Sequence, residues 1–139
     1  PVVSIEDPFG EADYGSWKRF FSRFHNSLTI IGDDLICTNP RLIKEALDQG
    51  AINGALIKLN QIGTVSETLD AIHTARAGGC KISISHRSGD TEDPIIADLA
   101  VGVGSEFIKT GSVCRGERTC KYNRLIEIEH IHGLNFRRF

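Results

Sequence analysis

An α/β fold of about five consecutive βα units with parallel strands is predicted by three features of the sequence. These are short apolar runs of β-forming residues, longer amphipathic stretches between them, and a recurrence of roughly 25 residues. The strand candidates are Val2 to Asp7, Leu28 to Asp34, Gly54 to Asn60, Lys81 to Arg87 and Glu106 to Thr110, each rich in Val, Ile or Leu.

The stretches between them carry helix start and stop signals. Trp17, Phe20, Phe21 and Phe24 give the first helix its packing face. Asn39-Pro40 sets a capping side chain before a proline at the first helical position; Leu42, Ile43, Ala46 and Leu47 then form one apolar stripe, closed by Gly50. Thr64-Val65-Ser66-Glu67 has capping-box spacing, with Leu69, Ile72 and Ala75 behind it and Gly78-Gly79 as the stop. Helices over Thr91 to Val103 and Arg115 to Ile131 complete the set. The pattern shows no linker, low-complexity tract or second domain.

Composition narrows the function classes. With 139 residues, 40% hydrophobic and 24% charged, the chain reads as one soluble globular unit. No apolar run is long enough to cross a bilayer, and Pro1 to Asp7 lacks the regions of a signal peptide, so no membrane partner is expected and a cytoplasmic protein is the default. The four cysteines, Cys37, Cys80, Cys114 and Cys120, form no CxxC pair and read as reduced thiols. A formal net charge of −2 leaves no electrostatic footprint for nucleic acid; only Phe136-Arg137-Arg138-Phe139 makes a local basic tip. The absence of methionine suggests a chain cut from something longer.

Polar and charged residues fall at the C-terminal end of every strand candidate: Glu6-Asp7, Asp33-Asp34, Lys58-Leu59-Asn60, Ser85-His86-Arg87-Ser88 and Lys109. In a (β/α) barrel those ends converge on the active-site cavity. One charged residue ending a strand is ordinarily just solvated, but the same placement on five consecutive strands points to a site. Glu6 and Asp33 are hard oxygen ligands suited to Mg2+, which takes few protein carboxylates and completes its octahedron with water and substrate oxygens. Strand alternation puts Glu6 on the face of Ser4 and Asp33 on that of Thr29 and Ile31, leaving Asp34 facing the helix side.

Lys58 ends the apolar run Ala55-Leu56-Ile57, so its amine is expected in a partly dry cavity. Burial and neighbouring cations favour the neutral amine, and a lysine so placed can be a general base. The plainer reading is a salt-bridge partner of Asp33 or Asp34. Ser85-His86-Arg87-Ser88-Gly89 brings a guanidinium, a hydroxyl and a glycine-loosened backbone to a strand mouth ahead of the Thr91 helix. That combination reads as a phosphate site. His86 could equally be a packed, hydrogen-bonded histidine. Lys109 suits a substrate carboxylate or phosphate, or a neighbouring acid.

The segments Ser4-Ile5-Glu6-Asp7-Pro8-Phe9, Gly32-Asp33-Asp34-Leu35, Leu59-Asn60-Gln61-Ile62-Gly63-Thr64, Ser85 to Asp93 and Ile108-Lys109-Thr110-Gly111 resemble the enolase family, in family order and spacing over nearly the whole chain. The resemblance implies a partial (β/α)8 TIM-like barrel, residues 1–139 being the C-terminal part of the family's barrel domain. It implies reversible dehydration of 2-phosphoglycerate to phosphoenolpyruvate, in a homodimer when the enzyme is complete. Glu6 and Asp33 would be Mg2+ ligands and would also face substrate. Lys58 would be the base removing the C2 proton, with Mg2+ stabilising the aci-carboxylate intermediate. Ser85, His86, Arg87, Ser88 and Lys109 would hold substrate, Arg87 and Ser88 at the phosphate. A lysine or histidine base with one or two Mg2+ is the known solution of this superfamily.

The chain departs from the family pattern at Ser112-Val113-Cys114 and Gly116, and at Asp90 where glutamate is typical. None of these is a position to which the resemblance gives a catalytic role. The capping domain, the first barrel strands, a third metal carboxylate and the glutamate acid of the family are not in this stretch, so the segment alone is expected to be inactive. A superfamily relative acting on another carboxylate would show a Lys-x-Lys base, which Lys58-Leu59-Asn60 does not. A non-catalytic binding or structural module derived from the family is the alternative from a different class.

Overall fold

A computed structural model of the chain describes residues 2–133; the basic tip at 136–139 lies outside the described residues. In order these form β1 (Ser4–Glu6), α1 (Tyr14–Phe24), β2 (Thr29–Gly32), α2 (Pro40–Asp48), β3 (Gly54–Ile57), α3 (Leu59–Ile62), α4 (Val65–Ala77), β4 (Lys81–Ser85), α5 (Ile95–Gly102), β5 (Phe107–Lys109) and α6 (Gly116–His132). The five strands are parallel and hydrogen-bond in chain order, as the βα rhythm predicts. The described residues fall into two compact units, residues 2–83 and 84–133, with the boundary inside β4.

In the first unit, Ser4, Ile5 and Glu6 stand in register with Thr29, Ile30 and Ile31, and Ile31 and Gly32 with Gly54 and Ala55. β2 and β3 are buried throughout, which is why both read as unbroken apolar or small-residue runs. Gly54 is required there: a Cβ would come within 2.7 Å of Thr29 Cγ2 and 2.8 Å of Ile31 Cγ1. Asn53 closes the N-terminal end of the strands. Its Oδ1 accepts from the Ile30 N–H at 2.6 Å, and its Nδ2 donates to the His25 and Leu28 carbonyls at 3.0 Å each.

The helices follow their sequence signals. Asn39 Oδ1 accepts from the Arg41 N–H at 2.9 Å, and α2 buries Ile43 and Ala46. Thr64 Oγ1 accepts from the Glu67 N–H at 3.2 Å and donates to Glu67 Oε2 at 2.6 Å; α4 then buries Thr68, Ala71, Ile72 and Ala75. Gly78 ends α4 hard against α2, since a Cβ would overlap Leu47 at 2.3 Å. Of the five α1 aromatics only Trp17 is fully buried. Its indole donates to the Gly10 carbonyl at 3.2 Å and meets Phe9 edge-on, tying the loop after β1 to the helix.

The strands are shorter than the apolar runs, and two boundaries moved for identifiable reasons. β3 stops at Ile57, and Leu59–Ile62 turns into α3, ended by Gly63 at φ +111°. The helix expected from Thr91 begins at Ile95. Asp90, Thr91 and Asp93 instead use their side chains to accept the N–H groups of Thr91, Asp93 and Ile95, a chain of local turns that competes with helix.

In the second unit, α5 buries Ile96, Ala97 and Ala100. It is tied to α6 by Arg124, whose Nε and Nη2 reach the Asp98 carboxylate at 2.7–3.1 Å. All four cysteines are free thiols, as expected, and burial pushes Cys80 up to about 12.

Candidate active site

In the first unit the site is built around the turn that follows β2. Because Glu6 is in register with Ile31, Asp33 lies two residues beyond Glu6's partner, on the face that alternation assigns to both. Lys58, at the end of β3, sets its Nζ 2.5 Å from Asp33 Oδ1, with only 12% and 10% of the two side chains exposed. The salt-bridge reading of Lys58 is therefore realised, with Asp33 as the partner. Asp34 is exposed.

Two further residues shape this cluster and carried no separate signal in the sequence. Asp7, at φ +39°, aims both carboxylate oxygens at the turn: Oδ1 accepts from the Asp33 N–H at 2.8 Å and Oδ2 from the Asp34 N–H at 2.7 Å. Burial pushes the Asp7 carboxyl up, opposed by those two donors. Charge-assisted bonds of this kind contribute about 1.5–3 kcal/mol each, enough to fix where Asp33 points. Thr38 lies at the far end of the same turn, fully buried; its Oγ1 accepts from the Lys58 N–H at 2.9 Å.

In the second unit the candidates cluster on the loop after β4 and at β5. The Ser85 hydroxyl is buried and donates to the His86 carbonyl at 2.9 Å, while Arg87 and Ser88 are exposed. The His86 N–H donates to the Lys109 carbonyl at 2.9 Å, bringing the two strand ends together. His86 Nδ1 is buried with no hydrogen-bond partner among the described residues. Burial, then the Arg118 guanidinium, holds this imidazole below its ordinary value, so it is neutral at pH 7 with one ring nitrogen open. The Lys109 side chain is exposed. α5 starts at Ile95, seven residues beyond Ser88.

The loop is held from behind by α6. Lys121 has no exposed side-chain surface; its ammonium donates to the Thr91 carbonyl at 2.5 Å and the Glu117 carbonyl at 2.7 Å, and stands as an ion pair 3.1 Å from Asp90 Oδ2. Arg118 donates from both terminal nitrogens to the Arg87 carbonyl at 3.3 Å and stands 3.6 Å from Asp90. Asp90 thus pairs with both α6 cations within the loop. Tyr122 donates to the Gly111 carbonyl beyond β5.

For a metal, Glu6 and Asp33 offer two hard carboxylates on adjacent strands, a donor set that suits Mg2+. Among the described residues no group of three His, Cys, Asp or Glu side chains is arranged to hold an ion.

Five parallel βα units in chain order define a barrel-type α/β chain. The family model described as "Enolase, C-terminal TIM barrel domain" matches residues 1–136, and the chain belongs to the enolase family. The enolase of Sulfolobus acidocaldarius is 54% identical over 136 residues, covering 98% of this chain and 32% of that protein. The enolase of Bifidobacterium longum is 54% identical over 133 residues, covering 96% of this chain and 31% of the relative. The chain thus spans about a third of the length of these relatives.

Proposed function

We propose that the complete protein carrying this chain interconverts 2-phosphoglycerate and phosphoenolpyruvate, and that these residues supply the base, two metal carboxylates and the phosphate contacts. The observation that carries the reading is the buried Lys58–Asp33 pair, which joins the expected base to an expected metal ligand in a chain of the enolase family.

Glu6 and Asp33 would hold Mg2+, which when bound supplies positive charge against the substrate carboxylate. Lys58 would be the base that takes the C2 proton; its place at the end of a buried strand limits the water that could compete for that proton. Arg87 and Ser88, exposed on a loop whose backbone is anchored, are available to a phosphate as a guanidinium fork and a hydroxyl. The neutral His86 offers its open nitrogen to a substrate oxygen, and Lys109 adds a cation on the neighbouring strand. Because the family's third metal carboxylate and hydroxyl-protonating glutamate are not in this stretch, the 139 residues alone would lack turnover.

The test is ultraviolet detection of phosphoenolpyruvate formed from 2-phosphoglycerate by the complete protein with Mg2+. Formation at a turnover near the ordinary enzyme value of about 10 per second is expected. A folded, complete protein that forms none would overturn the reading in favour of a non-catalytic module.

A further inference from the structure

Lys58 is gripped at both ends by a single turn. Asp33 opens that turn, its carbonyl accepting from the Ile36 and Cys37 N–H groups at 3.1 and 2.9 Å. The chain then passes through two consecutive non-glycine residues in left-handed conformation, Cys37 at φ +46° and Thr38 at φ +53°, before Asn39 becomes extended and caps α2. A β-branched residue in this region is a true outlier, and such strain persists only where the surroundings over-determine it. Here they do. The fully buried Thr38 hydroxyl accepts from the Lys58 N–H at 2.9 Å and donates to Gln61 Oε1, on α3, at 2.8 Å.

At Lys58 the chain leaves β3 and enters α3, so its N–H takes a side-chain oxygen where a strand would continue the ladder. The turn's first residue holds the ammonium and its last holds the amide.

We infer that Thr38 is a positioning residue for Lys58: its hydroxyl, braced by Gln61, fixes the point from which the lysine amine reaches the reacting proton. This rests on the reading of Lys58 as the base. A hydroxyl in this role is replaceable by serine and not by valine, which keeps the branched shape but neither accepts the N–H nor donates to Gln61.

The experiment compares Thr38→Val, Thr38→Ser, Gln61→Leu and Lys58→Ala in the complete protein, measuring exchange of the substrate C2 proton with deuterium by NMR, its pH profile, kcat and KM. A misplacement near 1 Å commonly lowers rate about 100-fold, so Thr38→Val is expected to lose about 10- to 100-fold in exchange and in kcat with little change in KM. Gln61→Leu, which leaves the Lys58 contact but removes its brace, is expected to lose less, and Thr38→Ser to stay close to the parent. Parental exchange in folded Thr38→Val overturns the inference, as does a loss that tracks only the unfolded fraction and vanishes on cooling. Should Thr38→Val not fold, Gln61→Leu decides: an unaltered exchange rate and pH profile there overturn the inference. Retained exchange in Lys58→Ala sinks the base assignment instead, which separates failure of that reading from failure of the role given to Thr38.

Discussion

The two candidate clusters are held in opposite ways. In the first unit the candidate side chains themselves are gripped: Asp33 and Lys58 are nearly buried and paired at 2.5 Å, with Asp7 and Thr38 fixing the backbone beneath them. In the second unit the loop backbone is gripped. Arg118 and Lys121 bond the Arg87 and Thr91 carbonyls and bracket Asp90, while the Arg87 and Ser88 side chains stand exposed. A base and metal carboxylates act best when charge is preset in a poorly hydrated place, whereas phosphate donors must be able to reach out and close on an anion. The comparison therefore separates residues whose loss should damage chemistry, fold or binding.

The largest expected effect is on chemistry. In the complete protein, Lys58→Ala should abolish C2 proton exchange and leave Mg2+ binding nearly intact, since Glu6 and Asp33 remain. Calorimetric titration of Mg2+ beside the NMR exchange assay checks both halves, and persistence of exchange removes Lys58 as the base. Next in size is a loss of stability from the bracket. Lys121→Met keeps the length of the side chain but leaves two carbonyls without their donor and Asp90 with Arg118 alone, and breaking a buried ion pair from one side costs at most about 3–5 kcal/mol. A urea midpoint equal to that of the parent would mean that α6 does not brace this loop.

Arg87→Ala should show the reverse signature. Its side chain is exposed and the loop is held through its carbonyl, so stability should change by no more than about 0.5 kcal/mol, as for most surface substitutions. If the guanidinium binds phosphate, KM for 2-phosphoglycerate should rise about 10-fold or more, the scale of losing a charge-assisted contact. An unchanged KM would remove Arg87 from the phosphate site.

The strands and most helices were legible because their signals are local: apolar runs for β2 and β3, Asn39-Pro40 for α2, and Thr64 with Glu67 for α4. Polar placement at the strand ends singled out Glu6, Asp33, Lys58 and the Arg87 loop, and literal strings supplied the family and the roles it implies. The supports were not legible. Asp7, Thr38, Arg118 and Lys121 act across 20 to 31 residues of sequence, and each taken alone looks like a solvated polar residue. Lys121 is the sharpest case, since its buried ammonium is met by the Thr91 and Glu117 carbonyls and by the Asp90 charge. The late start of α5 was missed for a related reason: side chains at Asp90, Thr91 and Asp93 took the N–H groups a helix would have used.

The smallest effect belongs to the α5–α6 tie, and it sharpens the contrast with the bracket in the same unit. Arg124 meets Asp98 through several contacts at 2.7–3.1 Å, yet 32% and 42% of the two side chains remain exposed, so solvent screens the pair. The Arg124 hydrogen bonds hold the Asp98 carboxyl below its ordinary 3.8. A carboxyl depressed on folding contributes stability that is present above its unfolded value and is lost as pH falls through the lower folded value. Asp98→Asn should therefore lower the urea midpoint slightly at pH 7, by a small fraction of the Lys121→Met shift. The two proteins should converge as pH drops below 3.8, and salt near 1 M should erase much of the difference at pH 7. A pH 7 loss as large as that of Lys121→Met, or one insensitive to salt, would show that the exposed tie and not the buried bracket holds the two helices' loops in place.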